Sequence, residues 1–344
     1  MTPSDRPSGE RAKPAAPLPG LAAGFPTFEL ADEAEHQTLS RWRANVGTPV
    51  ALDLAAPGPA EVHGIDLLSW NVAAGRARVG ELIARLRGGA FGGAGNDPAR
   101  PFVLLLQEAY RADESIPARA VGPHHGGNVA PRTPLDVVDL ARSHFLSLRY
   151  APSMRNGATR SDRGNAILST VPLERAHAFS LLYINQRRVA VAGELHGVGG
   201  VALVSAHLDT GRRWGMADSA ARIPGRARAE QAERLVRAIL RVDAPGGVVL
   251  AGDFNTPLGR RDPAYRALIR GGLQSATRSG RWDHTHHHLL RLDLDHVLVH
   301  PFGRLASVGV ERIDEDQGDR GSTIFGSDHH PLLARISLTP ESSA

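Results

Sequence analysis

The chain has 344 residues, of which 42% are apolar, with a formal net charge of +4 and no cysteine. This size and composition suit one ordinary globular domain with an extension, or two small domains, and they exclude a disordered or collagen-like chain as the overall class. The lack of cysteine excludes a disulfide framework, a thiolate nucleophile and a cysteine-ligated zinc or iron–sulfur site.

The charged residues are close to balance, with 40 basic residues against 36 acidic ones. Lys13 is the only lysine, so nearly all the basic residues are arginines, and this bias is weak evidence for a nucleic-acid partner. No apolar run approaches the roughly 20 residues that a transmembrane helix needs. Pro14, Pro17 and Pro19 interrupt the Ala/Leu stretch near the N-terminus, which makes it a poor secretory signal, so we expect a cytoplasmic protein.

Residues 1–60 are expected to form an N-terminal extension. From Met1 to about Phe25 the sequence is rich in proline, alanine and glycine without periodicity, which predicts a disordered tail. One short helix can form between Phe28 and Trp42, before a second stretch that is rich in proline and glycine. A folded domain is then predicted over residues 61–340.

Short apolar runs of the β type follow one another through this domain, separated by only a few helices. The predicted strands are Ile65 to Val72, Phe102 to Leu106, Ala166 to Leu168, Val189 to Leu195, Val201 to Ala206, Val248 to Ala251, Leu292 to Val299 and Leu332 to Leu338. The predicted helices have apolar residues three and four positions apart and cover Val79 to Arg87, Leu135 to Leu146, the later part of Ala217 to Arg241, and Asp262 to Ile269.

The spacing of these elements indicates the fold class. Between Arg163 and Ala206, strand follows strand with no room for a crossover helix, so part of the sheet must be antiparallel. An α/β class with two packed sheets and helices outside them fits this mixture.

Several predicted strands end in polar side chains that a buried strand end does not require. These are Asn71, Gln107 with Glu108, His207 with Asp209, and Asp253 with Asn255, and further carboxylates and imidazoles follow at Asp295, His296, Asp328, His329 and His330. Convergent polar groups at strand ends are typical of a functional site on an α/β scaffold. Carboxylate and amide oxygens in a chain without cysteine favour a hard divalent cation, Mg²⁺ or Mn²⁺.

Seven short motifs occur in a characteristic order: Trp70-Asn71, Gln107-Glu108, Gly164 to Ser169, Ala206-His207-Leu208, Gly252-Asp253-Phe254-Asn255, Leu294-Asp295-His296 and Ser327 to Pro331. Between Gly64 and Leu338 they resemble the endonuclease/exonuclease/phosphatase superfamily, which includes pancreatic-type deoxyribonucleases, abasic-site endonucleases, neutral sphingomyelinases and inositol-polyphosphate 5-phosphatases. The resemblance implies a four-layer α/β/β/α sandwich with two packed mixed, largely antiparallel sheets. It also implies that residues 61–340 are a catalytic domain that hydrolyses a phosphoester with Mg²⁺ (or Mn²⁺).

The resemblance implies a set of metal ligands. Glu108 would be the principal metal-binding carboxylate, with Asn71 and Asp328 beside it. Abasic-site endonucleases have a second acidic residue two positions after the strand-end asparagine, whereas this chain has Ala73 there. This departure argues against abasic-site repair more than against catalysis.

The resemblance also implies the catalytic residues. Asp253 and Asn255 would position and deprotonate the attacking water, and His207 would hold a phosphate oxygen. Asp295 would orient His329, as a carboxylate orients a histidine in other hydrolytic sites. The sequence leaves open whether Asp253 or His329 takes the proton of the water.

Three further residues are candidates for substrate binding, namely Arg163, Asn165 and Arg188. Structural roles are the alternative for each single residue, since asparagine and aspartate are frequent in turns and a buried histidine can belong to the core. The run from His284 to His288 is either a zinc site or a solvated loop, and it precedes Asp295 closely enough to line the substrate entrance.

We expect a Mg²⁺-dependent hydrolase of a phosphodiester, with nucleic acid among the candidate partners. A phosphatase or a phospholipase- or sphingomyelinase-type enzyme is the alternative, and a binding module that has lost turnover is a third reading. The substrate and the oligomeric state are not fixed by the sequence.

Overall fold

The computed structural model of the chain describes residues 27–29, 36–59, 61–91, 100–121, 133–182, 187–210, 225–279, 282–287, 291–300, 303–314 and 323–340. The segment from Met1 to Phe25, for which a disordered tail is predicted, lies outside these residues, as does His288. No helix in the described ranges is both long and apolar enough to cross a membrane.

The strands are β1 (Thr27–Glu29), β2 (Val50–Leu52), β3 (Gly64–Asn71), β4 (Phe102–Arg111), β5 (Ser147–Arg155), β6 (Asp162–Ser169), β7 (Leu173–Ser180), β8 (Val189–Leu195), β9 (Val201–His207), β10 (Gly247–Asp253), β11 (Gln274–Ser275), β12 (Thr277–Arg278), β13 (Asp295–His300), β14 (Leu305–Arg312) and β15 (Leu332–Leu338). The helices are α1 (His36–Arg43), α2 (Val79–Arg87), α3 (Val137–Ser143), α4 (Arg226–Ile239) and α5 (Pro263–Arg270), and a short 3₁₀ helix covers Gly259–Arg261.

The strands form two mixed sheets. The order in the first sheet is β1-β7-β8-β9-β10-β13-β11, and the order in the second sheet is β12-β14-β15-β3-β4-β6-β5-β2. The pairs β1/β7, β9/β10, β12/β14 and β3/β4 are parallel, and the other neighbouring pairs are antiparallel. The expectation of two mixed, largely antiparallel sheets is therefore confirmed.

Apolar layers lie on both faces of each sheet. Because side chains alternate along a strand, one central strand contributes to two layers. Along β3, Ile65 and Leu67 lie in the apolar layer between the two sheets, whereas Leu68 and Trp70 lie in the layer shared with α2 and α3. Helices α4 and α5 cover the outer face of the first sheet in a third apolar layer. The result is the four-layer α/β/β/α sandwich that the sequence motifs imply.

Two parallel strand pairs determine where the polar strand ends meet. Asn71 at the end of β3 is the register partner of Gln107 on β4, and His207 at the end of β9 is the partner of Asp253 at the end of β10. Strand β13 runs in the opposite direction, so that its first residue, Asp295, is also a partner of Asp253. The ends of the two sheets touch, because Asn71 is hydrogen-bonded to Asp253.

Part of the predicted N-terminal extension packs on the second sheet. Strand β2 pairs with β5 at the edge of that sheet, and the Trp42 indole donates a hydrogen bond to the carbonyl oxygen of Ser153. The backbone amide of Gly47 donates to Asp162 at 2.8 Å. These contacts tie residues 36–59 to the sandwich, while the domain boundary at residue 61 stays a prediction.

Candidate active site

Asp253 lies at the centre of the buried polar side chains at this end of the sandwich. Its Oδ2 accepts a hydrogen bond from Asn71 Nδ2 at 2.9 Å, and its Oδ1 accepts one from the backbone amide of Asn255 at 2.9 Å. The Nε2 atoms of His207 and His329 lie 3.3 and 3.8 Å from Oδ2. Burial raises the pKa of Asp253 to about 6, although the charge of His329 and the hydrogen bond from Asn71 oppose the rise.

Next to Asp253, His329 and Asp295 form a buried ion pair. His329 Nδ1 lies 2.8 Å from Asp295 Oδ2, and the backbone carbonyl of His329 accepts a hydrogen bond from Trp70 Nε1 at 2.8 Å. The Thr285 hydroxyl accepts from the backbone amide of Asp295 at 2.9 Å. Burial lowers the pKa of His329, but the carboxylates of Asp295 and Asp253 outweigh burial and raise this pKa to about 10. The His329 ring is therefore an imidazolium at neutral pH.

His207 is held in its neutral form at the end of β9. Arg188 Nη1 lies 3.1 Å from His207 Nδ1, and because a guanidinium can only donate, Nδ1 is the acceptor and the ring proton lies on Nε2. Asp253 Oδ2, 3.3 Å from this Nε2, can accept its proton, whereas Asn255 Nδ2, 3.0 Å from the same Nε2, donates to the carbonyl oxygen of Leu208 at 2.9 Å. Burial lowers the pKa of His207 well below its ordinary value, and the charges of Arg188 and His329 lower it further.

Glu108 lies at a break in the pairing of β4 with β6. The register between the two strands shifts between Leu106 and Ala109, and Glu108 adopts a φ of +53°. A positive φ is strained for a residue with a Cβ atom, and an interrupted ladder is where such strain is tolerated. Glu108 is the one residue of β4 that is partly exposed rather than buried, which places its carboxylate at the site's solvent side.

Asp328 is a partly exposed site residue, with 40% of its side chain accessible to solvent. Its Oδ2 lies 3.6 Å from His286 Nε2, and the ring of His286 packs edge-on against His329 with 4.9 Å between centroids. Burial alone would raise the pKa of Asp328, but the hydrogen bond from His286 and the charge of His329 outweigh it and hold the pKa below its usual range.

The three predicted substrate-binding residues are all buried. Arg163 Nη1 donates to Asn156 Oδ1 at 2.8 Å, and its charge lies near enough to Arg188 to lower the pKa of that guanidinium, which burial already lowers. Asn165 Nδ2 donates to the carbonyl oxygen of Val189 at 2.7 Å and so joins the two sheets. Arg188 therefore lies within the site beside His207, and Arg163 lies near Arg188. Contact of any of the three residues with substrate stays a prediction.

Two groups of side chains near Asp253 could hold a metal ion. The ligand atoms of Asp253, Asp295 and His329 lie within 4.8 Å of one another, as do those of His286, Asp328 and His329. Glu108 belongs to neither group, and the joint binding of an ion by Asn71, Glu108 and Asp328 stays a prediction. The two groups together offer the carboxylates of Asp253, Asp295 and Asp328 and the imidazoles of His286 and His329, and the carboxylate oxygens fit a hard divalent cation.

Thr285 and His286 belong to the run that the sequence places at a zinc site, in a solvated loop or at the substrate entrance, but the sequence gives neither residue an individual role. His286 contacts both Asp328 and His329, and the Thr285 hydroxyl accepts from the backbone amides of Leu294 and Asp295 at 3.0 and 2.9 Å. The available signal is the run of histidines from His284, which lies close to Asp295 in sequence. Only the long-range pairing of this run with the segment around His329 assigns it to the site.

Comparisons with known proteins agree with this architecture. The sequence profile described as the Endonuclease/Exonuclease/phosphatase family matches residues 68–329. A solved endonuclease/exonuclease/phosphatase family protein from Leptotrichia buccalis is 14% identical, with a TM-score of 0.51 over 80% of this chain and 100% of that chain. An endonuclease/exonuclease/phosphatase from Beutenbergia cavernae is 19% identical, with a TM-score of 0.50 over 82% of this chain and 73% of that chain.

The human Nocturnin catalytic domain, solved with a bound sulfate anion, is 17% identical, with a TM-score of 0.51 over 85% of this chain and 98% of that chain. At such identities these three structures show a shared fold. No curated protein matches the sequence significantly.

Proposed function

The chain belongs to the endonuclease/exonuclease/phosphatase family, and from that premise we propose that it is a metal-dependent phosphoesterase that hydrolyses a phosphodiester by attack of water. The observation that carries the proposal is the convergence of Asn71, His207 and His329 on one buried carboxylate, that of Asp253, with distances of 2.9, 3.3 and 3.8 Å. Such a group, held at the meeting point of two sheets, is suited to orient one water molecule against a phosphorus atom.

We assign the removal of the water proton to Asp253. Its raised pKa of about 6 leaves it ionised at neutral pH yet basic enough to accept a proton. His329 is protonated in the same range, because its pKa is raised to about 10, and an imidazolium cannot accept a further proton. In this proposal His329 instead keeps a positive charge beside the reacting phosphate, and Asp295 holds the His329 ring in place.

We assign the binding of phosphate oxygens to His207 and Arg188. Nε2 of His207 carries the ring proton, because Nδ1 accepts from Arg188, and this proton can be donated to an oxygen. Arg188 is a fully buried cation, and its charge interacts with the carboxylate of Glu108. Buried, fixed donors of this kind stabilise developing negative charge more than solvated ones do.

Mg²⁺ or Mn²⁺ is the ion that we propose for Glu108, Asn71 and Asp328. The fit rests on the chemistry of the donors, since two carboxylates and an amide oxygen are hard ligands. When bound, the ion would supply a Lewis acid that offsets charge on a phosphate oxygen and on the leaving oxygen.

A lipid or small-molecule phosphoester is the second candidate substrate class, in place of a nucleic acid. Leu258, three residues after Asn255, is 64% exposed, but one exposed leucine is ordinary on a protein surface and does not make an apolar patch. A lipid-active enzyme needs exposed apolar side chains near its entrance, whereas a nuclease needs a basic groove that follows several phosphates.

A substrate panel tests the proposal. The purified chain would be assayed with Mg²⁺ or Mn²⁺ against bis-p-nitrophenyl phosphate, plasmid DNA, RNA and sphingomyelin. We expect hydrolysis of at least one diester, and a loss of about 100-fold or more in Asp253→Asn, which removes the charge but keeps the size of the side chain. Asp243→Asn is the matched control, because that carboxylate is 91% exposed. Absence of turnover on the whole panel with either ion would favour the binding-module reading and overturn the proposal.

A further inference from the structure

Three further histidines, His284, His287 and His330, cluster beside the active site. One ring nitrogen of each lies within 4.8 Å of those of the other two. The ring centroids are 5.4 Å apart for His284 and His330, 5.4 Å for His287 and His330, and 5.9 Å for His284 and His287. None of the three has a role in the hydrolysis proposed above.

Hydrogen bonds fix the tautomer of two of these rings. His284 Nδ1 lies 2.7 Å from a carboxylate oxygen of Asp283, and His330 Nδ1 lies 2.8 Å from a carboxylate oxygen of Asp314. An ionised carboxylate can only accept, so Nδ1 carries the proton in both rings and the lone pair is on Nε2. A histidine whose second nitrogen is held by a carboxylate is the usual arrangement around a metal ligand.

Two ring nitrogens of the cluster are buried without a hydrogen-bond partner among the described residues, namely Nε2 of His330 and Nδ1 of His287. His330 as a whole is only 3% exposed, so bulk water does not satisfy its Nε2. Buried polar atoms are nearly always paired in native proteins, and an acceptor such as His330 Nε2, buried among other ring nitrogens, is suited to bind a cation.

Charged side chains of both signs surround the cluster. Asp283 and Asp314 each contact one ring. Arg312 Nη1 lies 2.9 Å from the carbonyl oxygen of His284 and 3.3 Å from its Nε2, so this guanidinium must turn away when His284 binds a metal. Arg312 also pairs with Asp314 at 3.0 Å. The charge of Arg291 also acts on His287, so two carboxylates and two guanidinium groups surround the three imidazoles and their charges balance.

We propose that His284, His287 and His330 bind one divalent transition-metal ion of the zinc class, at a site separate from the hard cation of the hydrolytic centre. Imidazole nitrogens prefer Zn²⁺, Co²⁺ or Ni²⁺, whereas Mg²⁺ prefers oxygen ligands. Nitrogens around a tetrahedral zinc ion lie roughly 3.3 to 3.4 Å apart, so small rotations of the three rings would complete the site. This proposal does not depend on the proposed function.

The ion would join two segments that carry the active-site residues. The backbone amide of His287 donates to the carbonyl oxygen of Asp328 at 2.7 Å, and that of His330 donates to the carbonyl oxygen of Thr285 at 2.7 Å. A metal held by His284 and His287 on one side and His330 on the other would cross-link the same two segments. It would therefore stabilise the folded chain and fix the surroundings of Asp328.

The test is a Co²⁺ titration of the full chain, prepared without a histidine tag and stripped of metal with a chelator. We expect one equivalent of Co²⁺ to bind with the visible absorption of a nitrogen-rich four-coordinate site, to be displaced by Zn²⁺, and to persist in excess Mg²⁺. Zn²⁺ should also raise the melting temperature in proportion to the logarithm of its concentration.

His287→Gln is the key variant, because the buried Nδ1 of this ring has no hydrogen bond to lose. We expect Co²⁺ binding to weaken by more than the roughly 10- to 100-fold that loss of an outer-shell partner costs. His63→Gln, at an exposed histidine, and Glu108→Gln, at the hydrolytic centre, should both keep the signal. Three results would overturn the proposal. The wild-type chain could lack the absorption, His287→Gln could retain it with a normal metal-free melting curve, or Glu108→Gln could lose it.

Discussion

His329 Nδ1 and Asp295 Oδ2 lie 2.8 Å apart and join the two sheets of the sandwich. Asp295 is the first residue of β13 in the first sheet, whereas His329 precedes β15 in the second sheet. Both side chains are buried, at 1% and 5% exposure. The pair therefore gives His329 a fixed orientation and a lasting positive charge, and its two members should act as one unit.

A double-mutant cycle tests this coupling. We expect Asp295→Asn and His329→Ala each to slow hydrolysis by about 100-fold or more, because one removes the partner of the imidazolium and the other removes the imidazolium. The double variant should be little slower than His329→Ala, since the carboxylate acts through the ring. Turnover of all four proteins at saturating metal is the measurement.

Losses that multiply in this cycle would mean that the two side chains act independently. That conclusion requires all variants to be folded and to bind metal, which melting curves and metal titration would establish. His196→Ala, at a partly exposed histidine that pairs with Glu174 on the surface, is a control that should leave turnover unchanged.

Glu108 should set the metal requirement. Glu108→Gln keeps the shape of the side chain but removes a ligand charge, so we expect the Mg²⁺ concentration for half-maximal activity to rise by about tenfold or more. EDTA should abolish activity in the wild-type chain. Glu81→Gln, at an exposed glutamate of α2, is the control, and an unchanged Mg²⁺ dependence in Glu108→Gln would contradict the assignment.

Much of the scaffold could be predicted from the sequence, because helices and central strands bury apolar residues periodically. Helix α2 spans Val79–Arg87 as predicted, and the strand-end residues His207, Asp253 and Asp295 are register partners in the fold. The order of the motifs supplied the layer arrangement. Apolar periodicity does not identify strands whose buried residues are polar.

Strand β5 is the clearest such strand. All nine of its residues are buried, but they include arginines and serines, which ordinarily mark exposed segments. Arg149 donates to the carbonyl oxygens of Leu52 and Leu173, and Arg155 donates to that of Pro117, so distant backbone groups accept hydrogen bonds from both guanidinium groups. Such partners exist only in the folded chain.

The backbone conformation of Glu108 could not be predicted from the sequence either. Its φ of +53° occurs where β4 and β6 lose register, next to the pair formed by Ala109 and Gly164. A Cβ atom on Gly164 would lie 1.9 Å from the carbonyl oxygen of Ala151, so glycine is required there. The role of His286 likewise depends on a long-range bridge to His329.

Gly252 should be essential for the junction of β9 and β10. Its φ is +154°, and a Cβ atom there would lie 1.8 Å from the carbonyl oxygen of Ala206. We expect Gly252→Ala to lower the free energy of unfolding by more than about 2 kcal/mol, because the two strands must move apart. It should also reduce activity in the fraction that folds, since Asp253 is the next residue.

The matched control is Gly193→Ala, in β8 of the same sheet. The nearest atoms to a Cβ atom at Gly193 lie 3.7 Å away, an ordinary contact distance. We expect no loss of stability there, or a gain of up to about 1 kcal/mol from the less flexible unfolded chain. Urea unfolding of both variants is the measurement, and equal stabilities would show that the close approach at Gly252 is relieved at little cost.

His296 should make the folded chain sensitive to mild acid. The ring is buried against Phe254 and Tyr265, its Nε2 lies 2.8 Å from the Thr256 hydroxyl, and burial lowers its pKa to about 4. In the unfolded chain the pKa returns to about 6.5, so between these values the unfolded state binds more protons and stability falls as the pH decreases. The full loss is about 3 kcal/mol, at 1.36 kcal/mol per pKa unit.

His296→Gln tests this pH dependence. The variant should be less stable than the wild type at pH 8, but its free energy of unfolding should fall by about 3 kcal/mol less between pH 8 and pH 4. Urea unfolding across this range is the measurement, and His63→Gln should follow the wild type. The same pH dependence in His296→Gln as in the wild-type chain would show that the buried ring takes up its proton without unfolding the protein.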